Sequence, residues 1–190
     1  MGKNRRELFK KIVPTVSHMV LYFFMYSIIG WLWETVYCSM SDGQFVFRGF
    51  LYGPYCPVYG VGVLSVLYFL QPYVTKNVFV LFLLSAFIVS VLEYYTGWGL
   101  EKFFHLRLWD YSRYFLNIDG LVCLPVSTFW GVCCVIIVKF IHPKVAAAVN
   151  ALYAKFGPGV STFIIFMMGT DLALSVLKAL ENMGKIKASF

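Results

Sequence analysis

Three carboxylates lie inside long apolar runs of this chain, where an ionised side chain is costly. Glu34, Glu93 and Asp171 each have mostly apolar neighbours on both sides. A charged group at the centre of a bilayer costs about 2.5–3.5 kcal/mol on insertion scales, so such residues usually face a bundle interior or a wet cavity. Two interpretations stay open: internal pairing that holds helices together, or a place in a binding or transport pathway.

Two arginines follow the first two of these carboxylates along the chain. Arg48 comes after Glu34 and Arg113 comes after Glu93, so each arginine is the natural counter-charge of one glutamate. The planar guanidinium group can clamp a carboxylate or a phosphate with two hydrogen bonds. Either both arginines pair entirely within the protein, or one of them also meets an anionic ligand.

The stretch that begins at Arg48 has a second, similar copy 71 positions later. The matching positions are Gly49, Pro54, Tyr59, Gly60 and Val61 in the first copy, and Gly120, Pro125, Trp130, Gly131 and Val132 in the second. A repeat at fixed spacing indicates duplicated structural units. We therefore predict two parallel copies of one membrane hairpin, related by an axis along the membrane normal. The two glutamates are 59 positions apart, so the loop of the second copy is expected to be 12 residues longer.

Residues 108–120 form a polar and aromatic loop that could cap the bundle or close over a pocket shared by the two repeats. We predict no catalytic residue and no metal ligand, since no recognised catalytic or metal-binding pattern occurs. The predicted ligand-binding residues are Glu34, Arg48, Tyr52, Tyr59, Glu93, Glu101, Trp109, Asp110, Tyr111, Arg113, Asn117 and Asp171.

The amino-acid composition indicates which kind of structure holds these residues in place. The 190 residues are 60% hydrophobic and 13% charged, whereas soluble domains are about 45–50% apolar and about 25% charged. A spanning helix needs about 20 apolar residues, and we predict an all-α polytopic membrane bundle with about five transmembrane helices. The expected units are a basic cytoplasmic tail at 1–14, a first helical-hairpin repeat at 15–71, a second at 78–141, an interfacial helix at 144–156, and a fifth span with its tail at 160–190.

The net charge of +7 is concentrated near the N-terminus. Basic residues beside a span favour the cytoplasmic side, so we predict a multi-pass plasma-membrane protein with a cytoplasmic N-terminus. The predicted partner is the lipid bilayer and not nucleic acid, because no basic reader motif occurs. No P-loop and no other cofactor motif is present, so we predict no cofactor.

Several strings in the chain resemble a known family. They are Gly30-Trp-x-x-Glu34, the stretch from Arg48 to Gly60, Leu92-Glu93-Tyr-x-Thr-Gly97, Trp109-Asp-Tyr-Ser112, and Trp130-Gly131. Together these strings are similar to a bacterial multi-pass family of ABC-transporter type IV permeases, CmpB-like. The resemblance implies a transport role without a defined substrate and without catalytic residues. Members usually have a second tryptophan before Trp109, where this chain has Leu108, a change expected to matter little.

We therefore expect a permease-like transport component with a polar intramembrane pocket for a small ligand, anionic if an arginine binds it. Because the chain has no motor of its own, its expected partners are further copies of itself or a separate ATPase subunit. One alternative is an intramembrane enzyme that acts on a lipid or isoprenoid by carboxylate general acid–base chemistry. The second is a structural or regulatory membrane subunit.

Overall fold

The computed structural model describes residues 16–70 and 77–188, so the predicted basic tail at 1–14 lies outside the described residues. The described residues are mostly helical, with non-helical segments at 43–56 and in the loop that follows the third helix, where a short antiparallel strand pair lies. The elements are α1 (Val16–Asp42), α2 (Pro57–Phe69), α3 (Val78–Phe104), β1 (Asn117–Ile118), β2 (Val122–Cys123), α4 (Leu124–Ile136), a π-helical segment (Ile137–Ile141), α5 (His142–Phe156) and α6 (Gly159–Ala188).

Within residues 16–70 and 77–188, four helical stretches are long and apolar enough to cross a membrane. These candidate spans are Val16–Asp42, Val78–Phe104, Leu124–Phe156 and Gly159–Asn182. A 27-residue helix such as α1 is about 40 Å long, which exceeds the roughly 30 Å hydrocarbon core of a bilayer. The prediction of an all-α membrane bundle is confirmed.

The second expected span is shorter than predicted. The sequence indicates a helix from about residue 49, but α2 begins only at Pro57 and has 13 residues. Proline disfavours the helical region for the residue before it, and Cys56 accordingly has an extended backbone. Gly49 adopts a positive φ of 104°, a conformation open to glycine. The chain therefore enters the bundle as a non-helical segment before α2 begins.

The helix expected at 144–156 is present, but it does not stand apart from the fourth span. α4, the π-helical segment and α5 run on as one apolar stretch of 33 residues. Pro143 lies in the first turn of α5, directly after the π-helical segment. A proline lacks the N–H that an α-helix would use there and crowds the preceding turn. Wider i→i+5 bonding just before Pro143 lets the chain continue past it.

The first four helices pack as two similar pairs. α1 packs chiefly against α2, α3 packs chiefly against α4, and the pairs meet where α2 contacts α3. Gly60 lies against Phe23 and Ser27 in the first pair, and Gly131 lies against Phe82 and Ala86 in the second. A side chain on either glycine would collide with these neighbours, so both short helices approach their long partner closely at equivalent positions.

α5 and α6 complete the bundle on the outer side of α1. One apolar core joins α1, α2, α5 and α6 around Leu21, Tyr26 and Val149. A second core joins the two pairs around Val66, Leu81 and Cys134. The loops that follow α1 and α3 lie at the same end of the bundle, since Phe50 and Phe104 contact each other there with ring centroids 5.3 Å apart. This end is termed the loop end below.

Candidate functional site

Glu34 lies on α1, about 12 Å before the C-terminal end of that helix at 1.5 Å per residue, and it is surrounded by donors. Arg48 Nε donates a hydrogen bond to Oε1, and Arg48 Nη2 lies 3.0 Å from the same oxygen. Tyr59 donates to Oε2 at 3.1 Å, and the Cys56 thiol approaches the same oxygen at 3.8 Å. Both oxygens of this carboxylate are therefore occupied by protein groups.

A glycine one helical turn earlier makes this arrangement possible. The Tyr59 ring lies directly on Gly30, where any Cβ atom would overlap the ring. Residues four apart share one face of a helix, so a ring that lies on Gly30 can extend its hydroxyl to Glu34. The spacing Gly30-x-x-x-Glu34 thus positions an aromatic donor from α2.

Arg48 joins the two loops at the loop end. Its Nη2 donates to the carbonyl oxygen of Leu108 at 3.0 Å, and its own carbonyl oxygen accepts a hydrogen bond from Trp31 Nε1 at 3.0 Å. Burial by itself would lower the pKa of Arg48, but the Glu34 carboxylate more than offsets this effect, so the pKa is raised. The contact with Leu108 uses the main chain, so the side chain at that position does not enter into it.

Glu93 lies on α3 and has fewer hydrogen-bond donors around it than Glu34 has. Tyr111 donates to Oε1 at 3.1 Å. The Trp130 indole lies beside the carboxylate and interacts with it, but Oε2 is buried and has no hydrogen-bond partner among the described residues. Burial raises the pKa of Tyr111, and the neighbouring Glu93 adds to this effect, so the phenol stays protonated and remains a donor.

The two carboxylate centres are adjacent and form one polar cluster. Glu34 and Glu93 are close enough to interact electrostatically, and so are Tyr59 and Tyr111. Tyr59 and Trp130, which occupy matching positions of the predicted repeat, contact each other edge to face with centroids 5.5 Å apart. The name carboxylate cluster is used below for Glu34, Arg48, Tyr59, Glu93, Tyr111 and Trp130.

The long loop after α3 is held in shape by its own polar groups. Trp109 packs on Gly97 and donates from Nε1 to the Leu121 carbonyl oxygen at 2.9 Å. Asn117 donates from Nδ2 to the carbonyl oxygens of Ser112 and Tyr114. Side-chain and backbone hydrogen bonds from Ser112 lower the pKa of Asp110, which is exposed. Trp109, Asp110 and Asn117 therefore build the loop that carries Tyr111 to Glu93.

The expected pairing of Arg113 with Glu93 is wrong. Arg113 is exposed, and within residues 16–70 and 77–188 no ion pair joins it to Glu93. The loop folds back through the hydrogen bond from Tyr111 N to the Gly120 carbonyl oxygen. This brings the tyrosine to the carboxylate and leaves the arginine, two positions on, exposed to the outside.

Asp171 also takes a different place from the one expected. It lies on α6 and accepts hydrogen bonds from Tyr52 N at 3.0 Å, Gly53 N at 2.8 Å and the Tyr55 hydroxyl. Two backbone N–H groups and a phenol therefore bind this carboxylate to the segment before α2. Asp171 anchors α6 to the non-helical entrance and is not part of the carboxylate cluster.

Two further predicted residues lie at the loop end away from the cluster. Glu101 is exposed and lies 3.8 Å from Arg107 Nη1. Tyr52 is about half exposed, and its ring lies under the ammonium group of Lys178. Of the predicted residues, the structure thus brings together Glu34, Arg48, Tyr59, Glu93 and Tyr111.

Sequence reasoning missed Cys56, Gly30 and Trp130 as neighbours of the carboxylates. Gly30 could have been found from its i, i+4 spacing to Glu34, and Trp130 from its match to Tyr59 in the repeat. Cys56 follows from neither signal, because its place depends on the extended backbone before Pro57. No group of three or more His, Cys, Asp or Glu side chains in the described part of the chain is arranged to hold a metal ion.

Comparison with known proteins identifies one family. Residues 21–176 match a family model described as "Putative ABC-transporter type IV". The match includes all of the carboxylate cluster and well over half of the chain. No curated protein and no solved structure matches the chain.

Proposed function

The chain belongs to the ABC-transporter type IV family that its residues 21–176 match, and on that premise we propose a permease-like membrane transport component. The ligand is a small molecule that donates a hydrogen bond, and it binds at Glu93 within the carboxylate cluster. Glu34 and Arg48 form the fixed side of this site.

The observation that carries the proposal is the buried Oε2 atom of Glu93, which has no hydrogen-bond partner in the part of the chain that the structure describes. A buried polar atom without a partner costs about 1–3 kcal/mol, and more when it is charged. Such groups are few in native proteins and call for an explanation, of which a role in function is one. A ligand N–H or O–H group, or a proton that travels with the ligand, would satisfy this oxygen.

The same geometry argues against a ligand that is held mainly by arginine. Both Nε and Nη2 of Arg48 are already engaged, with Glu34 and with the Leu108 carbonyl oxygen. An anion at this guanidinium would have to displace the internal carboxylate. Arg113 is exposed and does not belong to the carboxylate cluster. The donor-bearing ligand at Glu93 therefore fits the site better than the anionic ligand that the sequence left open.

The energy source lies in another chain. No G-x-x-x-x-G-K-[ST] motif occurs in the sequence, and this loop is what cradles nucleotide phosphates in ABC-type motors. We propose a separate ATPase subunit as the partner, with assembly of more than one copy of this chain as a further expectation. We propose that the protein lies in the plasma membrane, and the basic residues near the N-terminus support a cytoplasmic position for that end.

The test uses the full-length protein in lipid nanodiscs and a panel of small amines, amides and polyols. Thermal unfolding is followed with each compound for the wild type, for Glu93→Gln and for the control Arg113→Ala. We expect one class of compound to raise the unfolding temperature of the wild type and of Arg113→Ala but not that of Glu93→Gln.

Two outcomes would contradict the proposal, and each would favour one of the alternative functions. Turnover of a lipid that Glu93→Gln abolishes would indicate the enzyme. A Glu93→Gln variant that supports the cellular function as well as the wild type does would indicate a structural or regulatory subunit.

A further inference from the structure

A groove of about 740 Å³ opens at the loop end, outside the carboxylate cluster. Its walls come from residues 47–52, from the end of α3 with the residues that follow it, and from the last turns of α6. The volume lies within the range of about 300–1,000 Å³ that is usual for ligand pockets. None of the carboxylates of the cluster lines it.

The groove has one apolar side and one basic side. Phe50, Phe104 and Leu106 contribute to the apolar wall, and the first two rings contact each other in a tilted arrangement. Lys178, His105 and Asn182 contribute polar groups that can donate hydrogen bonds. No aspartate or glutamate among the described residues lines the groove, so the lysine sets its electrostatic character there.

The lysine is available to an external anion. Lys178 Nζ lies 4.8 Å from the centroid of the Tyr52 ring, and no carboxylate within residues 16–70 and 77–182 lies within ion-pair distance of it. A cation over an aromatic face keeps its charge and is held in place.

The groove lies near one end of the candidate membrane span Gly159–Asn182. Lys178 is 19 residues after Gly159 on α6, which corresponds to about 28 Å along the helix. This distance is close to the roughly 30 Å thickness of the hydrocarbon core. If Gly159 lies at one face of the membrane, the ammonium group lies near the other.

We propose that this groove binds one anionic phospholipid of the surrounding bilayer. The headgroup phosphate meets Lys178 and His105, and an acyl chain lies along the wall formed by Phe50 and Phe104. A water-soluble anion would not contact this apolar wall, and an uncharged lipid would not neutralise a lysine that has no ion-pair partner among the described residues. The bilayer supplies an occupant with both parts at this depth.

The test measures lipid binding to the full-length chain in detergent by native mass spectrometry. The probes are phosphatidylglycerol, phosphatidylcholine of the same acyl chains, and free glycerol phosphate. The variants are Lys178→Ala and Lys102→Ala. Lys102 is a matched control because its Nζ lies 4.4 Å from the centroid of the Trp98 ring at the same end of the bundle, outside the groove.

We expect the wild type to bind one phosphatidylglycerol in preference to phosphatidylcholine, and glycerol phosphate not to compete. Lys178→Ala should weaken phosphatidylglycerol binding about fivefold, with no change for Lys102→Ala. A second pair examines the wall: Ala179→Trp, which fills the groove, should block the lipid, whereas the exposed Leu180→Trp outside the groove should not.

Three results would overturn the proposal. The first is equal binding of both phospholipids, and the second is equal weakening by Lys178→Ala and Lys102→Ala. The third is competition by glycerol phosphate at the same concentration as the lipid, which would show that a free anion is sufficient. Because Glu93 is not changed in these variants, the result is independent of the proposed ligand site.

Discussion

The two helix pairs of this bundle have similar scaffolds, but their glutamates differ in the number of hydrogen-bond partners. In the pair α1–α2, Glu34 meets an arginine, a phenol and a thiol. In the pair α3–α4, Glu93 meets one phenol beside an indole, and one of its oxygens has no hydrogen-bond partner among the described residues. We infer that the first carboxylate stabilises the fold and that the second is kept for a ligand.

The two pairs correspond closely enough for this contrast to be informative. Gly60 and Gly131, 71 positions apart, contact Phe23 and Phe82, which are 59 positions apart like the two glutamates. The same two spacings thus relate both the packing contacts and the polar residues. We propose that the pairs are copies of one unit, and the difference at the glutamates then arose within a shared framework.

The largest expected effect comes from the arginine that only the first pair uses. Arg48→Ala leaves Glu34 without a counter-charge and removes the bond to the Leu108 carbonyl oxygen. Breaking a buried ion pair costs about 3–5 kcal/mol, and the lower end applies because both side chains are about a fifth exposed. The matched variant Arg113→Ala should change the free energy of unfolding by less than about 0.5 kcal/mol. Chemical denaturation in detergent measures both, and equal losses would contradict the comparison.

The next effect concerns the glycine that lets Tyr59 reach Glu34. Gly30→Ala places a methyl group inside the Tyr59 ring position, so the ring must move. Overpacking of this kind costs about 1–3 kcal/mol. Gly99→Ala on α3 meets nothing within 4 Å and should be neutral or slightly stabilising, because alanine favours helix. Thermal unfolding compares the two variants, and a Gly30→Ala protein as stable as Gly99→Ala would show that the close approach is unimportant.

A smaller effect is expected at Asp171, which supports the first pair from α6. Asp171→Asn keeps the shape but loses the charged acceptor for Tyr52 N, Gly53 N and the Tyr55 hydroxyl. Hydrogen bonds to a charged group contribute about 1.5–3 kcal/mol, and the amide retains part of this. We expect faster hydrogen exchange in residues 49–56 than in the control Asp110→Asn, because Asp110 accepts its hydrogen bonds from Ser112 and not from this segment. Unchanged exchange there would exclude the anchoring role.

The smallest effect on stability should accompany the largest effect on function. Glu93→Gln removes a carboxylate with one unpartnered oxygen, so we expect the free energy of unfolding to change by less than about 1 kcal/mol. Glu34→Gln should cost more, because it leaves Arg48 half-buried without a counter-charge. The two free energies are compared under one condition. A Glu93→Gln loss that exceeds the Glu34→Gln loss would reverse the assignment of the two sites.

Much of the architecture could be predicted from the sequence, because apolar length and turn residues are local signals. The pairing of Glu34 with Arg48 followed from a short loop and opposite charges. The analogous pairing of Glu93 with Arg113 failed because the longer loop folds on itself through Asn117 and the Gly120 carbonyl oxygen. The place of Asp171 also could not be predicted, since it depends on how α6 packs beside a non-helical segment 118 positions earlier.

Carbodiimide labelling tests the difference between Glu34 and Glu93 most directly. A hydrophobic carbodiimide partitions into the bilayer and reacts with carboxyl groups that no cation holds. Mass spectrometry of the full-length protein in nanodiscs can quantify the adduct at each carboxyl group over time. We predict that Glu93 is labelled first and that Glu34 is labelled at a comparable rate only in the Arg48→Ala variant. Labelling of Glu34 as fast as Glu93 in the wild type would contradict the account.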